Sequence, residues 1–285
     1  MRMERRCDLH THSTYSDGTY TPARLIEAAV EAGLEAIVLS DHNNVFGLPE
    51  FFAEAKGKSV EAIGGVELST DYGSTELHIL GLYIDEKYFE EINRMMLDYK
   101  YRKEESNIRL VDALRKAGYD IDYAAIRDKT PGGQVNRALI AAALTEKGYT
   151  ASIKDAFSRL LSEKNGFYIP PKRISSFDAI RYLRSIGAVT ILAHPLLNLS
   201  EEELDIFLPQ AKAAGLQGME TRYSTYDERE SAVAAALAEK YGLLCSGGSD
   251  FHGANKPDIS LGSGKGSLVV PMSFLNAIKT VKTGR

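Results

Sequence analysis

Four times along the chain an amphipathic helix stops on a glycine, and a short apolar strand begins within the next three residues. In the first copy Thr21 and Pro22 supply an N-cap and a first-turn proline. Leu25, Ala28, Ala29 and Ala32 follow at helical spacing, Gly33 ends the helix, and the strand Ala36–Leu39 follows. The same grammar predicts helix 176–186, stop Gly187 and strand 189–193, then helix 201–214, stop Gly215 and a strand near Gly218. The last copy is helix 228–241, stop Gly242 and strand 243–246. Such alternation calls for an α/β fold built on parallel strands. The copies share a structural unit, not a sequence repeat.

Between Asp85 and Phe167 the grammar changes to helices without intervening strands, including the charged stretch 90–116 and an alanine-rich helix near 137–147. We read residues 85–167 as an inserted helical subdomain expected over the mouth of the α/β body formed by 1–84 and 168–285; a solvated appendage is the plainer alternative. The 285 residues suffice for one large domain with such an insertion.

Charge narrows the partners. Lys plus Arg is 34 against 39 for Asp plus Glu, a net of −5, which argues against holding duplex nucleic acid by phosphate neutralisation but leaves a small anionic substrate open. The apolar runs 138–144 and 232–238 fall far short of the roughly 20 residues that span a bilayer. The start Met1-Arg2-Met3-Glu4-Arg5-Arg6 lacks an apolar signal region, so a cytoplasmic protein is expected. Cys7 and Cys245 are expected as buried free thiols. The sequence is silent on oligomeric state.

All six histidines, His10, His12, His42, His78, His194 and His252, fall at or near the end of a predicted strand or inside one. Parallel α/β barrels gather their polar chemistry at the C-terminal ends of strands, so this placement points to one shared metal centre. His10 and His12, two residues apart, face the same side of a strand. Asp17 sits in the turn Ser16-Asp17-Gly18, Asp41 precedes His42, and Asp250 precedes His252 by two. Gly64 and Gly65 lead to Glu67, and we expect them to let backbone and metal approach closely. A carboxylate bridges two ions where imidazole cannot, which makes Glu67 the candidate bridge. Asp41 is expected to orient a ligand without binding metal. Nitrogen and oxygen donors without thiolate suit Mn, Fe or Zn, and the donor set is large enough for two or three ions.

The run Asp8-Leu9-His10-Thr11-His12-Ser13 through Ser16-Asp17-Gly18-Thr19, then Asp41-His42, Gly65-Val66-Glu67, His78, Ala193-His194-Pro195 and Ser249-Asp250-Phe251-His252, resembles the PHP superfamily, named for polymerase and histidinol phosphatase. The resemblance covers essentially the whole chain. It implies a distorted (β/α)7 barrel around a trinuclear metal centre. One ion would take His10, His12, Glu67 and Asp250, a second Glu67, His78 and His194, and a third Asp17, His42 and His252. Within the superfamily, Ser16-Asp17-Gly18 and the insertion look like the branch holding nucleoside 3′,5′-bisphosphate phosphatases and 5′-to-3′ exoribonucleases of short oligonucleotides. That branch carries Gly-Arg-Pro-His in its insertion; here Arg137 is kept and the histidine is Leu139. A second departure is Thr225-Tyr226, where relatives often have Ser-His.

The resemblance implies a phosphoesterase in which a hydroxide bridging two ions attacks a phosphomonoester of a small nucleotide in line. Glu67, His194 and Asp250 are the residues expected to carry catalysis. Arg137, Lys172 and Arg222 are the expected substrate-phosphate contacts, against the plainer reading of each as surface charge; Arg173 is a further cation aimed from the rigid segment 168–171. The sequence names no obvious general acid. Tyr15, Tyr20, Tyr72 and Tyr223 are placed in loops where a base could stack, although packing is the commoner use. The mixed-sign run 99–105 reads as a solvated helix face. The alternatives kept open are a phosphatase of another small metabolite, amide hydrolysis on a similar metallo-barrel, and a non-catalytic metal-stabilised module. Clustered imidazoles also predict loss of metal and activity below about pH 6.

Overall fold

The computed structural model describes residues 5–129 and 135–283, so Met1–Glu4 of the N-terminal reading and 130–134 of the insertion lie outside the described residues. Seven strands, β1 Cys7–Asp8, β2 Ala36–Leu39, β3 Glu61–Tyr72, β4 Thr75–Leu82, β5 Val189–Leu192, β6 Gly218–Tyr223 and β7 Leu244–Gly248, follow one another in sequence order across one sheet. The sheet curls back on itself. Leu9 N–H donates to Gly247 O at 3.2 Å, Asp250 N–H to His10 O at 2.9 Å, and Thr11 bridges Phe251 in parallel. Asp8 locks this seam, one oxygen accepting Ser249 N–H and the other Ser249 Oγ–H and Gly262 N–H. At Gly248 the strands come so close that a Cβ would lie 2.4 Å from His10 Cβ. The result is a distorted, nearly closed barrel.

The helices are α1 Pro22–Glu31, α2 Leu48–Ala55, α3 Phe89–Lys116, α4 Tyr123–Asp128, α5 Arg137–Glu146, α6 Ile153–Ala156, α7 Ser176–Ser185, α8 Glu201–Ala214, α9 Glu228–Tyr241 and α10 Met272–Thr283. The punctuation seen in the sequence works as expected. Thr21 Oγ1 caps α1, Ser200 and Asp227 form reciprocal capping boxes with Glu203 and Glu230, and Gly215 and Gly242 end α8 and α9 in the left-handed conformation. The barrel core packs Cys7, Leu9, Val38, Leu80, Leu82, Val189 and Ile191 against Leu275 and Ile278 of α10.

Three expectations are corrected. The sheet is not wholly parallel, because β4 runs antiparallel to both β3 and β5. The turn between Tyr72 and Thr75 passes through Gly73 at φ +61°, too short for a helical crossover, so the chain must return as a hairpin. Gly64 and Gly65 do not open space for metal. A Cβ on Gly64 would press on Phe52 and Leu48 of α2, and one on Gly65 on Val38 and the Gly81 carbonyl, so packing demands them. Tyr72 and Tyr223 lie on strands rather than loops; Tyr72 packs edge-on against Phe177 and Phe207.

The chain divides into two compact units, Met1–Arg94 with Arg173–Arg285, and Met95–Lys172. The second has its own core of Leu110, Val111, Leu114, Ile126, Ile140, Leu144, Leu161 and Tyr168. Residues 99–105 lie on α3, where Arg102 pairs with Asp98 and Glu105 with Arg109 one turn apart. Among the described residues no helix is long and apolar enough to cross a membrane. Both cysteines are free, and burial pushes the Cys7 thiol up to about 12, so it stays protonated and inert.

Candidate active site

Parallel strands deliver their C-terminal ends to one rim, and β4, running backwards, delivers its beginning there. His10 and His12 follow β1, His42 follows β2, His194 follows β5, His252 follows β7, and His78 lies in the first half of β4, opposite Ser69 of β3. The reversal of β4 explains why a histidine inside a strand joins others that follow strand ends. Two site residues leave their strands in the left-handed region, His194 at φ 30° and Asp250 at φ 53°. Strain of that kind costs about 1–3 kcal/mol and persists only where surrounding structure enforces it.

Glu67, in the middle of β3 and fully buried, is the hub. Its Oε2 lies 3.2 Å from His10 Nε2, 3.2 Å from His12 Nε2 and 3.0 Å from His42 Nδ1. Its Oε1 lies 2.9 Å from His78 Nδ1 and 3.2 Å from His194 Nε2. Asp250 Oδ1 is 3.1 Å from His12 Nε2 and 3.6 Å from His10 Nε2. Asp17 Oδ1 is 3.1 Å from His252 Nε2 and 3.8 Å from His42 Nε2.

Among the described residues three groups of donor atoms, each within 4.8 Å of one another, result: His12, Asp17, His42 and His252; His10, His12 and Glu67; His42, Glu67 and His78. His12 and His42 each stand in two groups, whereas the partition implied by the resemblance gives each to one. Despite their proximity, Glu67 Oε2 and His42 Nδ1 are buried without a hydrogen bond. Burying such groups unsatisfied is costly, and lone pairs converging on common points are what a divalent cation neutralises. With nitrogen and oxygen donors only, the site fits divalent metal ions.

The surrounding residues fix these donors. His10 Nδ1 lies 3.0 Å from Glu220 Oε1, a carboxylate that accepts the Nδ1–H and turns Nε2 toward the centre, and Glu220 Oε2 accepts the His194 N–H at 2.7 Å. Asp41 accepts from Ser13 N–H, Ser13 Oγ and Ser16 Oγ, and so ties down the loop between His12 and Asp17. Asp250 Oδ2 accepts from Tyr223 Oη at 2.7 Å and from Lys256 Nζ at 2.6 Å. Sequence reasoning passed over Glu220 and Lys256, and it gave Tyr223 no link to Asp250. Glu220 had one available signal, a carboxylate directly after Gly218 and Met219 of a predicted strand.

The cations expected to meet substrate stand differently. Arg137 is half-buried, its guanidinium 4.2 Å from the Tyr168 ring centre and 5.7 Å from that of Phe157. Arg173 is held by Asp71 at 2.9 Å and Glu76 at 2.7 Å. Lys172 and Arg222 are exposed. A bulge between Glu220 and Arg222 breaks the alternation of β6, so Glu220 and Tyr223, three residues apart, both reach the site.

Protons compete with metal here. Burial pulls His12 toward neutrality, but the adjacent carboxylates of Asp250 and Glu67 overcome it and hold the imidazole at about 9. At His78 burial is likewise outweighed by Glu67 and Glu76, which hold it at about 10. A raised value means that the proton occupies the ligand nitrogen below it and leaves as pH rises through it. Metal affinity should therefore climb between pH 7 and 9 by about tenfold per pH unit for each proton displaced, with proton release visible by calorimetry in buffers of different ionisation enthalpy. A flat affinity over that range would contradict the proposed ligands. The carboxylates thus move the onset of competition above the pH 6 expected for unperturbed histidine.

The sequence model of the PHP domain matches residues 8–170. A 5′-3′ exoribonuclease of Haemophilus influenzae is 31% identical over 251 residues, covering 88% of this chain and 91% of the relative. A phosphoribosyl 1,2-cyclic phosphate 1,2-diphosphodiesterase of Eggerthella lenta is 29% identical over 86% of this chain and 94% of its own. A 3′,5′-nucleoside bisphosphate phosphatase of Chromobacterium violaceum is 27% identical, covering 86% of each chain. The crystal structure of a proposed metal-dependent phosphoesterase from Bifidobacterium adolescentis superposes with a TM-score of 0.74 at 26% identity, over 97% of this chain and 96% of that one.

Proposed function

Because this chain belongs to the PHP domain family, we propose that its hydrolase activity toward phosphoesters is directed at a phosphomonoester of a small nucleotide, a nucleoside 3′,5′-bisphosphate or the 5′ end of a short oligonucleotide. The observation that carries this is the buried Glu67 with five imidazoles within 3.2 Å of its two oxygens, flanked by Asp17 and Asp250. We assign two or three divalent ions to it, manganese foremost, with iron or zinc as alternatives. When bound, such ions lower the pKa of water toward neutrality and stabilise charge on phosphoryl oxygens.

The protein's own part is to fix the donors. His10, His12, Glu67 and Asp250 would hold one side of the centre, with His78 and His194 on the other oxygen of Glu67 and Asp17, His42 and His252 beyond His12. Glu220 keeps the His10 lone pair aimed inward. Glu67, His194 and Asp250 are the residues we take to carry catalysis. In this reading Arg137, within the insertion 85–167, and Lys172 and Arg222, outside it, are the outer phosphate-binding groups. The two free thiols suit a reducing cytoplasm.

The test is phosphate release by the Mn-reconstituted protein from adenosine 3′,5′-bisphosphate, beside 5′-AMP and an aryl phosphate. Preference for the bisphosphate supports the nucleotide substrate; equal turnover of all three keeps the phosphoesterase and discards it. The Eggerthella relative favours a second reading, a cyclic phosphodiester of a sugar, so a ribosyl 1,2-cyclic phosphate completes the panel. Full metal occupancy without turnover of any of the four would leave a non-catalytic module.

A further inference from the structure

We propose that Lys256 is a phosphate-binding cation of this centre, donating to a non-bridging oxygen of the bound phosphoryl group; the proposal rests on the phosphoester reading above. The backbone holds Lys256 at the rim. Thr19 N–H donates to His252 O at 3.1 Å, Ala254 N–H to Thr19 Oγ1 at 2.9 Å, and Asn255 Nδ2 to Asp17 O at 2.7 Å. Gly253 sits at φ +63°, where a Cβ would lie 2.0 Å from Thr19 Oγ1, so the turn that presents Lys256 is sewn to the loop that presents Asp17.

The two oxygens of Asp250 have separate duties. Oδ1 faces His12 and His10, whereas Oδ2 takes Tyr223 Oη and Lys256 Nζ. Tyr223 is buried and neutral, and alone satisfies Oδ2 as a structural partner would. The lysine adds a full charge, and its side chain is 39% exposed against 6% for Asp250, so it stands on the solvent side of the carboxylate. An ammonium has three donors and Asp250 uses one, which leaves two for an incoming anion.

Electrostatics favours such a group. Asp17, Glu67, Glu220 and Asp250 crowd carboxylate charge around the centre, and an anionic substrate is drawn in by cations beside the metal. Arg173 is already neutralised by two carboxylates and Arg137 is stacked on Tyr168. Lys256 has charge and donors in reserve. Its flexible stem lets a compact charge swing from Asp250 to a phosphoryl oxygen without disturbing Oδ1.

The experiment compares wild-type, K256M and K256R proteins loaded with Mn(II). It measures inorganic phosphate binding by calorimetry, KM and kcat on the best substrate of the panel, and metal content by elemental analysis. For K256M we expect phosphate affinity to fall about 10- to 100-fold with metal content unchanged, and K256R to recover most of it. Unchanged phosphate affinity in K256M, or a loss that merely tracks lost metal, would overturn the proposal and leave Lys256 as a partner of Asp250 only. A metal-loaded wild-type protein that binds no phosphate would instead bring down the phosphoester reading, and Lys256 with it.

Discussion

Glu67→Gln should reduce turnover by about 10²- to 10⁴-fold and lower the bound metal. The substitution keeps the size of the side chain and removes the charge that five imidazoles surround. Removing one partner from a buried charged network costs about 3–5 kcal/mol, and each 1.36 kcal/mol is a factor of ten, which sets the range. In the metal-free protein burial opposes ionisation of Glu67, but the charges of His10, His42 and His78 outweigh it and hold the carboxyl well below its usual range, so the wild-type group is an anion throughout neutral pH. An amide offers one weak oxygen donor and an N–H₂ that points protons at the same lone pairs. Elemental analysis beside steady-state kinetics checks the prediction; wild-type metal content and turnover in the variant would remove Glu67 from the centre.

Asp250→Asn should lose two to four orders of magnitude in kcat while melting within a few degrees of wild type. Asparagine is the substitution to use because Asp250 sits at φ 53°, and Asn is among the few side chains that tolerate this region. Alanine would add backbone strain to the loss of the carboxylate and blur the result. Burial opposes the charge on Asp250, but His10 and His12 more than compensate and keep it ionised well below the usual carboxylate range. In the amide variant that charge is gone from beside His12 Nε2, and Lys256 loses its counter-ion. Circular dichroism and thermal melting separate misfolding from lost chemistry. Unchanged turnover with intact folding would sink the role of Asp250.

The local sequence specified a good deal of this. Helix ends at Gly33, Gly215 and Gly242 and strand 36–39 were legible because capping, glycine stops and apolar runs act over a few residues. The donor types were legible too, since His-x-His on a strand end and an acid two residues before His252 keep their spacing whatever the rest of the chain does. Less legible was direction. A hydrophobic run of period two reads the same forwards and backwards, so nothing in 75–82 announced that β4 would reverse. The role given to Gly64 and Gly65 failed for a related reason: a glycine in a strand signals close approach without saying of what, and here α2 and a neighbouring strand fill the space.

By itself, then, the sequence determined an α/β chain whose imidazoles and carboxylates sit near strand ends or within strands, and hence a chemistry of divalent metal. Only the tertiary structure decided which donors meet. Glu220 reaches His10 across 210 positions, Lys256 turns back onto Asp250, and a bulge in β6 brings Tyr223 to the site while Arg222 stays exposed. Those pairings depend on strand order, on register and on closure of the barrel between β1 and β7. Each is fixed by contacts between segments distant in sequence, which local spacing does not encode.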